Sequence, residues 1–109
     1  MSRYVFIESR TPFDSRDCRF LSETARSLKG LGNAVVVFLV QNGVLAARKK
    51  AAGSHLPLLS EAGVTLLADN FSLRERGIQR VELGPGVQEA GIDALVDLIV
   101  NEDTKAIWH

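Results

Sequence analysis

The sequence has one cysteine, three prolines and few aromatic side chains (6%), and its 13 basic residues are matched by 13 acidic ones. A single cysteine excludes an intramolecular disulfide and any multi-cysteine metal cluster, leaving a choice between a reactive thiol and an inert buried one. Zero net charge removes any whole-molecule attraction to nucleic acid or to an anionic membrane. The longest apolar run is Ala34 to Val40, far short of the about 20 residues that a membrane helix needs. The opening Tyr4-Val5-Phe6-Ile7 stretch stops at Glu8, too early for the roughly 7–15 apolar residues of a secretory signal. These absences lead to the expectation of a soluble cytoplasmic protein that uses neither membrane nor nucleic acid.

What is present suits one domain over residues 1–109, with 46% hydrophobic residues and enough chain to bury a core without staples. Charge is unevenly placed. Residues 1–50 carry nine basic and four acidic side chains, and residues 51–109 carry four basic and nine acidic. Such a dipolar chain can associate head to tail, and it is equally what differently charged helix faces would give.

The pattern reads as alternating strands and helices. Tyr4–Ile7 is a β-rich run. Phe20, Leu21, Thr24, Ala25 and Leu28 form a stripe at helical spacing, capped by Asp14 or Ser15 and ended by Gly30 and Gly32. Ala34–Val40 is apolar at every position, as in a strand covered on both faces. A helix is expected from Val44 to about Ala51 and a short one over Leu58–Ala62, after an interruption at Gly53–Pro57. Val64–Ala68 reads as a third strand. Ser72 with Glu75 three residues on reads as the capping box of a short helix. Ile78–Leu83 reads as a fourth strand, Gly84-Pro85-Gly86 as a turn and Val87–Val100 as the last helix, with Ile92, Leu95, Val96 and Ile99 on one face. Lys105–Trp108 closes the order as a fifth strand, with Trp108 an aromatic anchor for that strand or for an interface. Strands alternating with helices imply a three-layer α/β/α sandwich of about five mostly parallel strands. Ligands of such sheets bind beyond the carboxyl ends of the strands, which directs attention to Glu8–Ser15, Gln41–Val44, Asp69–Ser72 and Gly84–Val87.

Several residues in these segments could carry chemistry. Arg10, Thr11, Ser15 and Arg16 put hydroxyls and guanidinium groups before a helix start, an arrangement that suits an anion or simply a solvated turn. Cys18 falls in the first turns of that helix beside Arg16 and Arg19, where cationic neighbours favour a thiolate; the packing alternative is a small buried hydrophobe. Asp69 ends a strand just before a helix, where a carboxylate can cap the helix, pair with Arg74 or Arg76, or act on a ligand. Asn42, Asn70, Ser72 and Arg76 complete the candidate ligand-binding set. Arg48-Lys49-Lys50 suits a helix end and is too small for nucleic acid. His55 precedes a Pro-containing turn, and neither it nor His109 has metal-ligand spacing. No cofactor signature such as a Gly-rich phosphate loop is present.

The chain also resembles the DsrE/DsrF-like proteins, small α/β subunits of sulfur relay systems. The resemblance rests on the Pro12–Phe20 loop and helix, on Gly32–Leu39, on Asn42-Gly43-Val44, and most of all on Gly63–Asp69 followed by Ser72 and Arg76-Gly77-Ile78. It implies a trimer or hexamer, or a hetero-oligomer with related subunits, and a sulfur-relay protein partner. Some members of this family carry a persulfide on a cysteine after the third strand, a position that here falls on Asp69. Aspartate cannot hold a persulfide. The reading is therefore an accessory protein of sulfur metabolism that binds a partner or small ligand without the usual thiol. The alternatives are a sulfurtransferase or sulfur carrier that uses Cys18, and a regulatory module that binds a nucleotide or another small ligand.

Overall fold

The computed structural model describes residues 2–11, 17–51 and 54–109. Five strands form one parallel sheet: β1 (Arg3–Glu8), β2 (Ala34–Leu39), β3 (Thr65–Asp69), β4 (Val87–Ala90) and β5 (Thr104–Trp108), in the spatial order β4-β3-β2-β1-β5. Four α-helices connect them: α1 (Asp17–Gly30), α2 (Leu56–Glu61), α3 (Asn70–Glu75) and α4 (Ile92–Ile99). The sheet is parallel throughout.

The chain winds outward from β1 to β4 with its connections on one face and returns to β5 across the other. On the first face, Leu21 and Ala25 of α1, Leu56 and Leu59 of α2 and Leu73 of α3 bury against Phe6, Val35, Val37, Leu39, Leu66 and Ala68. On the second face, α4 alone among the described residues supplies the helical layer, setting Ala94, Leu95 and Leu98 against Val5, Ile7, Val36 and Phe38. The uninterrupted apolarity of β2 has its cause here, since its residues alternate between two dry faces.

Four sequence expectations change. Val44–Ala51 is not an α-helix; a 3-10 segment runs from Gln41 to Ala47. The second short helix begins at Leu56, and Pro57 stands in its first turn, where a missing N–H costs nothing. Ile78–Leu83 is not a strand. Ile78 and Leu83 are buried at its two ends, Val81 is 68% exposed between them, and Arg80–Glu82 is one 3-10 turn. The fourth strand is instead Val87–Ala90, so the last helix begins only at Ile92. Gly84–Val87 thus lies at the entry of β4, and its carboxyl end is at Ala90-Gly91. Gln88, which is exposed, and Glu89, half-buried and paired with Arg80 at 2.8 Å, disguise this short edge strand.

The stripes also shift. Phe20 is 72% exposed and stands off the α1 stripe. Of the four residues assigned to one face of α4, only Leu95 points inward; Ile92, Val96 and Ile99 are exposed. Trp108 is 65% exposed and so is not buried as an anchor of the last strand.

Candidate functional site

Four of the candidate residues converge at the carboxyl ends of β2 and β3. Asp69 ends β3 in extended backbone and is the N-cap of α3. Its carboxylate accepts the Ser72 N–H at 3.0 Å and the Ser72 hydroxyl at 2.7 Å. Ser72 is therefore a residue inside the helix and not its cap, as the Ser72/Glu75 spacing suggests. The Ser72 hydroxyl in turn accepts the Gln41 N–H at 2.9 Å, tying α3 to the end of β2. Arg76 completes the tie: its Nε and Nη2 both donate to Asn42 Oδ1, at 3.2 and 3.1 Å, and its Nη1 donates to the Ser72 carbonyl at 3.2 Å. Asp69 Oδ2 takes both bonds from Ser72, and Arg76 donates to Asn42 and the Ser72 carbonyl with Glu75 3.8 Å away, so these contacts stand where the sequence suggests Asp69–Arg76 or Asp69–Arg74 pairs. Asp69 and Ser72 are buried, whereas Asn42 and Asn70 face solvent.

This geometry depends on backbone freedom at two adjacent places. Gln41 takes a left-handed φ of 51°, which a non-glycine residue adopts only under local constraint. Gly43 packs so closely on β1 that a Cβ there would collide with the Glu8 carbonyl oxygen. Asn42 is held between these two positions, which fixes its amide for Arg76.

A second cluster lies at the ends of β1 and β5. The winding direction reverses between these strands, so the crevice characteristic of open α/β sheets belongs here. It is filled by the protein itself. Both carboxylate oxygens of Glu8 meet His109 Nδ1, at 2.7 and 2.9 Å, and Glu8 Oε1 also accepts the Arg10 N–H at 2.9 Å. The His109 backbone is fixed as well, by bonds with Ile7 and Ser9. Beneath lies a cavity of about 30 Å³, lined in part by Glu8, Arg10, Ser22 and His55, with room for about one water. Sequence reasoning passed over Glu8 and His109. The available signal was a glutamate continuing an apolar strand, since a carboxylate in that place is buried only when paired.

Of the first-loop candidates, Arg10 is exposed and Thr11 is 2% exposed. Ser15 and Arg16, and the capping roles given to Asp14 and Ser15, lie outside the described residues. Cys18 occupies the first turn of α1, and its side chain lies outside the description. Asn70 opens α3 near Gly91. Among the described residues, no group of three or more His, Cys, Asp or Glu side chains could hold a metal ion, and no helix is long and apolar enough to cross a membrane.

A β3 end that leads through Asp69 into α3, locked to the 3-10 segment after β2, is the element that the sequence resemblance singles out. The DsrE/DsrF-like family model matches residues 2–105. The chain belongs to the DsrE/DsrF-like family. Solved structures share the fold over the whole chain. The ychN protein from E. coli superposes with a TM-score of 0.87 at 19% identity, covering 100% of both chains. MTH1491 from Methanobacterium thermoautotrophicum, described as a protein of unknown function, gives 0.82 at 22% identity and the same coverage. BT1422 from Bacteroides thetaiotaomicron gives 0.65 at 22% identity over 95% of this chain and 94% of its own. No curated protein matches the sequence.

Proposed function

We propose that this DsrE/DsrF-like chain is a cytoplasmic accessory subunit of sulfur metabolism. It binds a sulfur-relay partner or a small ligand at the carboxyl ends of its strands, and assembles with copies of itself or with related subunits. The observation that carries this reading is Asp69. At the end of β3, where the family resemblance places a persulfide cysteine, a carboxylate is committed to capping α3 through two bonds to Ser72. A carboxylate cannot carry sulfur, and one oxygen of this one is given to the α3 cap, which supports a site of recognition rather than of sulfur transfer. Asn42 and Asn70 are exposed on either side of it, and with Asn42 Oδ1 taken by Arg76, the Asn42 amide NH2 and the Asn70 side chain are offered to a ligand.

Exposure to a polysulfide donor followed by intact-mass spectrometry tests this reading. The chain is expected to gain no stable sulfur, and Cys18→Ser to behave as the parent does. Sulfur found on Cys18 would replace this reading with a sulfur carrier. That second reading has one observation in its favour: Cys18 lies one helical turn before Ser22, a residue lining the cavity under Glu8. A thermal-shift screen separates the third reading. Stabilisation by a nucleotide would make the chain a nucleotide-responsive module, because a ligand that binds only the folded state raises its stability.

A further inference from the structure

The two faces of the sheet are finished differently, and the difference points to a contact between copies. Helix α4 is the only helix among the described residues on its face, and its outer side is apolar. Ile92 is 61% exposed, Val96 47%, and Val100, just beyond the helix, 70%. The strand register places Trp108 on this same face, since it pairs with Ile7. An apolar stripe of this kind on a layer one helix deep is the mark of a covered surface. It is bordered by Asp93 and Asp97, both exposed.

The other side of the molecule carries the complement. Arg48, Lys49 and Lys50 line a groove of about 450 Å³ with Val81 and Glu82. Glu82 is partly committed, accepting the Gln79 N–H at 3.1 Å. The exposed Val81 adds an apolar side chain to the groove lining. Ala47 and Leu83, the chain neighbours of Arg48 and Glu82, belong to the core of the first face, whereas α4 lies on the second. One chain therefore cannot fill its own groove with its own α4.

We propose that α4 of one copy seats in the Arg48–Lys50 groove of a second copy, a head-to-tail contact between opposite charges. This rests on the self-assembly reading above and names the surfaces that make it. Pairing α4 with α4 would bring four aspartates together, and like charges in close opposition disfavour that arrangement. A head-to-tail contact uses two different patches per chain, so it closes into a ring or continues as a filament according to the rotation between copies.

Light scattering coupled to size-exclusion chromatography tests the proposal on the full chain. Lys49→Glu with Lys50→Glu, and separately Asp93→Lys with Asp97→Lys, should each raise the dissociation constant by about tenfold or more while far-UV circular dichroism stays unchanged. The fourfold variant that combines both pairs restores opposite charges across the contact and should reassemble. Val96→Ser and Val81→Ser repeat the test without charge, should any reversed variant fail to fold. A parent chain that runs as a monomer overturns the assembly reading together with this one. A parent that assembles, with reversed variants assembling equally well, overturns only the choice of surfaces. Dissociation of both pairs without recovery in the fourfold variant also overturns the direct pairing.

Discussion

The two faces of the sheet differ in how completely the chain covers its own apolar surface. The first face is sealed by α1, α2, α3 and the 3-10 segment, and its residues interlock from Leu21 to Leu83. The second relies, among the described residues, on the eight residues of α4, and that helix leaves Ile92, Val96 and Ile99 exposed while burying Leu95. The lesson is that burial within the chain and readiness for assembly are divided between the faces: one secures the fold, the other is left to meet a neighbour.

The sharpest way to break that contrast is to hollow out the sealed face. Leu66→Ala, at a position 1% exposed, should lose about 2–5 kcal/mol in urea unfolding, because the cavity adds to the lost transfer energy. Overfilling is the next largest effect. Gly43→Ala drives a Cβ into the Glu8 carbonyl and should cost about 1–3 kcal/mol, with the Asn42–Arg76 contact displaced in a crystal structure of the variant. Asp69→Ala removes the α3 cap and should cost about 1 kcal/mol, while Asp69→Asn retains part of it. If Asp69→Ala abolishes ligand binding without a matching fall in melting temperature, the carboxylate touches ligand directly and the purely capping account fails. The smallest stability effect belongs to the open face. Val96→Ser should stay within about 0.5 kcal/mol in urea unfolding of the dissociated chain, yet weaken self-association in sedimentation experiments. A large loss of monomer stability there would show that the two faces are not divided as described.

Much of the architecture was legible because its signals are local. Val35 to Leu39 read as a strand dry on both sides, and the Asp69/Ser72 region announced a helix start through side-chain chemistry. Val87–Ala90 was hidden because two of its four residues are polar, and its strand character comes from pairing with Leu66–Asp69 rather than from its own composition. Val81 misled in the opposite direction, since alternation around it mimics a strand where the chain makes only a 3-10 turn and a single bridge from Leu83 to Arg48. Within the site, Asp69, Ser72 and Arg76 were found through spacing. Their true partners were not, because Gln41 and Asn42 lie some 30 residues away and are brought there only by the β2–β3 pairing. Glu8 and His109 lie still further apart, 101 positions in sequence.

The sequence by itself determined the α/β class, the parallel character of the sheet, the family, and the absence of a second thiol. The class, the parallel sheet and the single thiol follow from composition, periodicity and short spacings, which act between neighbours along the chain; the family rests on the resemblance of its ordered motifs and on the family match over residues 2–105. Only the tertiary structure decided that Asp69 spends its carboxylate on Ser72, that Glu8 meets His109 where the winding reverses, and that α4 shows its apolar side to solvent. These depend on which strands lie side by side and which helix lacks a companion. No local pattern encodes that, because burial is a property of the whole packed sheet.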